Sequence, residues 1–173
     1  QAQLTLLELQ AGSSITGLVI ANASAGFAQS LQLGGNVDSS FDMSLVGAAG
    51  QYRNFNRFVK VGTSTWMLTG NASGLPTSVW ELQQGTLLFD AGTVGGAIPA
   101  IIGSGALIFQ QNSNLSVGNI NGAISVLQSG SGTTTLVGNN HSGGTTITAG
   151  KLSIGSETAL GTGAMIIPHQ RGG

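Results

Sequence analysis

Apolar residues take alternate positions in short runs along this chain, and Gly, Asn and Ser break the runs at close intervals. A period of two interrupted by turn formers predicts short strands and tight corners. The expected strands are 3–9, 14–20, 30–33, 41–46, 58–61, 65–69, 78–82, 86–89, 106–109, 123–127, 133–137, 145–147, 151–154 and 164–167. Corners are expected at 10–13, 22–26, 34–36 and 47–50. Ala97 to Phe109 is the most apolar run, yet it holds Gly103 and Gly105 and falls well short of the roughly 20 residues that span a bilayer. It reads as two strands and a corner. No long stretch shows apolar spacing of three and four, so no substantial helix is expected. In 51–61 the aromatics Tyr52, Phe55 and Phe58 recur every third residue; an irregular corner leading into a strand fits better than a helical turn.

A unit of the form Gly-x-apolar-x-apolar begins at Gly85, Gly105, Gly122, Gly150 and Gly163. No such unit buries its apolar edge alone, so copies must stack into a coil. In a parallel coil each strand bonds to the turns above and below, which satisfies the backbone without helix. Turns of about 20 residues predict roughly eight or nine rungs and a rod about 40 Å long. Leu, Ile and Val then face inward, while Thr, Ser and charge occupy the outward positions. The chain reads as one β-helical segment over 1–173 and a fragment of something longer. Within it 1–50 is less repeat-like, 51–167 carries clear repeats and 168–173 is a tail.

Composition narrows the function classes. Charged residues make up 6% of the 173 and the net charge is −1, against about 25% charged in an ordinary domain. Five basic residues are too few to bind a nucleic-acid backbone. Without Cys there are no disulfides and no thiolate metal sites. The scarcity of aromatics favours a narrow core lined by Leu, Ile, Val and Ala.

The stretch 51–71, QYRNFNRFVKVGTSTWMLTGN, resembles the autotransporter-associated β-strand repeat, with Phe58, Lys60, Gly62, Trp66, Leu68, Thr69 and Gly70 at its characteristic places. The second half of that repeat is similar to Gly143-Gly144-Thr145-Thr146-Ile147, Ala149-Gly150-Lys151-Leu152 and Ala159-Leu160-Gly161. Val137 departs from the usual Thr before Gly, and Gly95 to Ile102 carries an unusual GAIPAII insertion. The resemblance implies a right-handed parallel β-helix of a type V secretion passenger. Such a passenger is exported through the periplasm by a separate C-terminal outer-membrane barrel, and comes to lie outside the cell or on its surface.

Candidate chemistry is sparse. Arg53, Arg57 and Lys60 hold most of the positive charge and form a candidate surface-interaction patch for glycans or anionic surfaces; the plainer reading puts the interleaved aromatics in the core and the charges in water. Asp38 and Asp42 lie about 13 Å apart on one extended strand, too far for the roughly 5 to 9.5 Å of a glycosidase pair. Gly34-Gly35-Asn36-Val37-Asp38 lacks the third Gly of a calcium-binding coil. His141 and His169 have no ligand neighbours and read as surface histidines, and no Gly-x-Ser-x-Gly elbow occurs. No catalytic residue, cofactor or metal is therefore expected, and the chain is read as no enzyme. The expected function is a structural and adhesive stalk that meets a host or bacterial surface, protein or glycan, or associates with itself. Alternatives are a scaffold for an exported protease or esterase domain elsewhere on the rod, and a carbohydrate-binding β-helix.

Overall fold

The computed structural model describes residues 5–22, 27–72, 75, 79–94, 96–138 and 140–168. The corner expected at 22–26 lies outside them apart from Asn22, as does the tail beyond Pro168. In chain order the strands are β1 (Thr5–Leu9), β2 (Val19–Ile20), β3 (Gln29–Leu33), β4 (Ser39–Asp42), β5 (Tyr52–Arg53) and β6 (Arg57–Lys60). Next come β7 (Thr65–Asn71), β8 (Trp80–Leu82), β9 (Thr86–Val94), β10 (Ala97–Ile98), β11 (Ile101–Phe109) and β12 (Leu115–Val117). The last are β13 (Ile120–Gln128), β14 (Thr133–Leu136), β15 (Asn140–His141), β16 (Thr145–Ile147), β17 (Lys151–Ile154) and β18 (Met165–Ile166). Among the described residues there is no α-helix.

Every strand pairing is parallel, and each joins one turn of the chain to a later one. The main sheet follows the order β1-β3-β6-β8-β11-β13-β16-β18, with β4, β7, β9 and β15 paired beside that path; β10-β12-β14-β17 form a second sheet. This is a β-solenoid. Its eight successive strands make about seven turns, or about 34 Å at the usual strand spacing, not the eight or nine expected. Early turns are the longer ones: Ser30 lies beside Arg57, whereas Ile101 lies beside Ile120. The extra length makes a side excursion in which β2 pairs with β5, and a 3-10 turn at Met43–Leu45. That turn also shortens the strand expected at 41–46, because the Asp42 carboxylate accepts a hydrogen bond from the Ser44 amide and caps it. Similarly, 14–20 contributes only Val19–Ile20.

The corner expected inside 97–109 is a bend within one unbroken strand. The first part of β11 pairs with β8 and its last part with β9, so Gly103 and Gly105 turn the chain from one leg of the coil to the next while the ladder continues.

Inward positions stack like on like. Phe58 lies over Trp80 with ring centroids 5.5 Å apart, and Phe89 over Phe109 at 5.1 Å. Phe41, Tyr52, Phe55 and Trp66 are buried too, so the core is more aromatic than composition suggested. Few aromatics suffice when the coil gathers them into adjacent turns. Burial of such rings removes the largest apolar areas from water and stabilises the coil by about 1.5 to 3 kcal/mol each.

Candidate functional site

The cations of the candidate patch do not meet. Arg53 lies on β5 in the side excursion, and its Nε donates to the Gly50 carbonyl at 2.9 Å. Arg57 and Lys60 share β6 but are three residues apart, and an odd spacing on a strand places side chains on opposite faces. Arg57 points outward and makes a two-pronged pair with Glu81 at 2.6 and 2.5 Å. Lys60 points inward and is only 2% exposed. Its ammonium donates to the carbonyls of Val61 at 2.6 Å, Gly62 at 2.8 Å and Gln84 at 3.4 Å. Two successive corners are thereby tied to one cation. Tyr52, Phe55 and Phe58 are buried, as the plainer reading had it, but the Lys60 charge does not face water.

Burial disfavours the Lys60 charge and lowers its pKa, with Asp38 acting in the opposite sense. For Glu81 the hydrogen bonds from Arg57 dominate and hold the carboxyl below its ordinary value; the same bonds raise Arg57. Both partners are about a third exposed, so solvent screening leaves the pair worth about 1 kcal/mol. Urea unfolding of Arg57→Ala, Glu81→Ala and the double variant should return a coupling of that size; a coupling near zero would show the pair to be ornamental.

Other polar residues also serve the coil. Asp38 accepts from the Thr65 amide at 2.7 Å, which caps the start of β7 on the next turn. Ser104 donates its hydroxyl to the Gln83 carbonyl at 2.9 Å. Within the C-terminal turns Gln111 donates to the Thr134 hydroxyl at 2.6 Å, Thr134 donates to Gln128 at 2.6 Å, and Gln128 donates to the Gly130 carbonyl at 3.0 Å. Gln128 thus does with an amide what Lys60 does with an ammonium. Sequence reading missed this network because an isolated Gln or Thr gives no sign of facing inward. Among the described residues His, Asp and Glu nowhere gather in threes able to hold a metal ion, and no helix is long and apolar enough to cross a membrane.

His141 is a correction. It is fully buried rather than on the surface, with Nε2 2.8 Å from the Thr145 hydroxyl, because its strand β15 lies against Gly122 of the turn below. His169 lies outside the described residues. Desolvation lowers the His141 pKa from 6.5, so the unfolded chain takes up the proton first as the pH falls. Stability from this group is fully present above about pH 6.5 and declines below it. Thermal melts from about pH 8 downward should show Tm starting to fall near that point. His141→Leu should remove this decline and leave only the lower window beneath pH 4.5, where Glu81 takes up its proton.

The outward face of the main sheet departs from expectation as well. Met67, Leu88, Ile108, Leu127, Thr146 and Ile166 stand in register on six consecutive turns. Beside Ile108, Leu127, Thr146 and Ile166 lies a groove of about 420 Å³. Thr and Ser were expected at outward positions; five of these six are apolar. In the sequence they are hidden because each neighbours an inward apolar residue, as Leu88 follows Leu87, and the alternation vanishes.

Residues 126–154 match the family model of the passenger-associated-transport repeat. No curated protein and no solved structure matches the chain. The matched segment runs from the end of β13 to the end of β17, one turn and part of the next, and includes Gln128, Thr134, His141 and Thr145. A repeat of this family set in a coil of stacked parallel strands fits an autotransporter passenger with associated repeats.

Proposed function

We propose that this segment is a non-catalytic, adhesive stalk of a secreted or surface-held passenger, which meets a host or bacterial surface or other copies of itself. The unbroken parallel ladder from β1 to β18 carries the reading. Several of its ionisable side chains are spent on corners and neighbouring turns: Lys60 on three carbonyls, Asp38 on the next turn, Arg57 on Glu81. What remains outward is a long, nearly uncharged surface, which suits spacing and surface contact better than bond-making chemistry. The transport repeat supports a location outside the cell or on its surface.

The parent reading frame expressed in a Gram-negative host tests this. Intact cells should expose the segment to antibody and added protease, and should settle faster or adhere better than cells lacking it. Segment retained inside intact cells, or displayed without any change in settling or adhesion, would overturn the stalk or its adhesive role respectively.

A further inference from the structure

We propose that the outward row Met67, Leu88, Ile108, Leu127, Thr146 and Ile166 is a docking face for a second copy of this chain, rod beside rod. The proposal rests on the stalk reading and names the surface through which self-association runs. The row is continuous because the strands are in register: Met67 beside Leu88, Leu88 beside Ile108, Ile108 beside Leu127, Leu127 beside Thr146, Thr146 beside Ile166. Met67 is 37% and Ile166 55% exposed, and the residues between are half-buried by one another. A parallel row of Thr65, Thr86, Ala106 and Ser125 borders it on one side, small and uncharged.

Size and charge point to a second copy as the occupant. With the row of Thr69, Asp90, Gln110 and Ser129 on its other side, the face is three rows at about 6.6 Å over six turns at about 4.8 Å, about 570 Å², so two such faces bury about 1,140 Å². That is close to the lower edge of specific interfaces, which bury about 1,200 to 2,000 Å² in all. The face is a sheet surface grooved beside Ile108 and Leu127, and sheets pack face to face at about 10 Å with side chains interdigitated. Asp90, in the third row, is the one charge among these residues, so a partner recognised by charge finds little to hold. Another copy presents the same apolar row and small-residue border, and a net charge of −1 per chain leaves little mutual repulsion.

Sedimentation velocity of the protein over a rising concentration series is the test. Wild type should show a concentration-dependent dimer that added NaCl does not weaken, since the face holds no ion pair. Met67→Lys and Leu127→Lys should each weaken association about ten-fold or more by placing a cation in a desolvated row. Ile154→Lys, on β17 in the other sheet and 47% exposed before substitution, should leave it unchanged. Far-ultraviolet spectra and Tm identify any variant that fails to fold. Ile108→Cys adds a readout that asks little of the fold, because the chain has no other cysteine to compete; under mild oxidation it should form disulfide dimers faster than Ile154→Cys. A monomeric wild type at millimolar concentration, or row variants that dimerise like wild type, overturns the proposal. Neither result touches the stalk reading, which fails only if intact cells do not display the segment.

Discussion

Gly85→Ala is expected to lower stability by about 4 kcal/mol, whereas Gly12→Ala costs about 1 kcal/mol. The two glycines hold nearly the same backbone angle, φ +78° and +80°, so the left-handed conformation penalises alanine equally at both. Their surroundings differ. A Cβ at Gly12 meets nothing within 4 Å, while one at Gly85 comes to 2.5 Å from the Gly62 carbonyl oxygen, 2.6 Å from that of Ser64 and 2.8 Å from the Lys60 ammonium. Backbone oxygens of the neighbouring turn cannot swing aside as a side-chain tip does. Gly85 stacks on Gly62 below and under Gly105 above, in a column where consecutive corners touch backbone to backbone. Urea unfolding of the two variants measures the difference directly. Equal losses would mean that local conformation alone, without stacking, demands glycine in this column.

Lys60→Met is the second large effect, expected at about 3 kcal/mol. The thioether fills the stem's volume but leaves the carbonyls of Val61, Gly62 and Gln84 without their donor, and an unsatisfied buried polar group costs about 1 to 3 kcal/mol. Lys60→Gln should cost only about 1 kcal/mol, because Gln128 already closes a corresponding corner through its amide, donating to Gly130 at 3.0 Å. The order of the two variants is the informative result. If Met were the milder change, the carbonyls would have to be served by something other than the residue at this position. The sign of the pH effect follows from the lowered pKa of Lys60: the unfolded chain holds its proton to higher pH than the folded one, so the charged form penalises folding. Stability should therefore rise as the pH climbs through the folded value toward 10.5, and Lys60→Met should abolish that rise.

Both predictions give a physical reason for the residues that stand at 58–66. Phe58 stacks on the next turn, Lys60 and Gly62 build a corner that the following corner sits upon, and the Trp66 indole donates to the Gly34 carbonyl at 3.0 Å. Each is a contact between turns. A repeat that specifies its own interface to the next copy can be extended indefinitely, which is what a stalk requires.

The amino-acid order by itself determined that the chain is all-β, that it coils, and where most strands and corners fall, because those properties follow from alternation over four or five residues and from glycine at sharp bends. It also carried the transport repeat matched at 126–154, since that pattern is local. Only the tertiary structure decided which residues share a row. Whether Lys60 or His141 is inside, and whether Met67, Leu88, Ile108, Leu127 and Ile166 line up outside, depends on register between residues about 20 positions apart. The number of turns depends on corner lengths that vary along the chain, from the long early excursion through β2 and β5 to the tighter later turns. No short-range pattern encodes either, because a strand's local signal is the same whichever neighbour it pairs with, and pairing is settled only when whole turns stack.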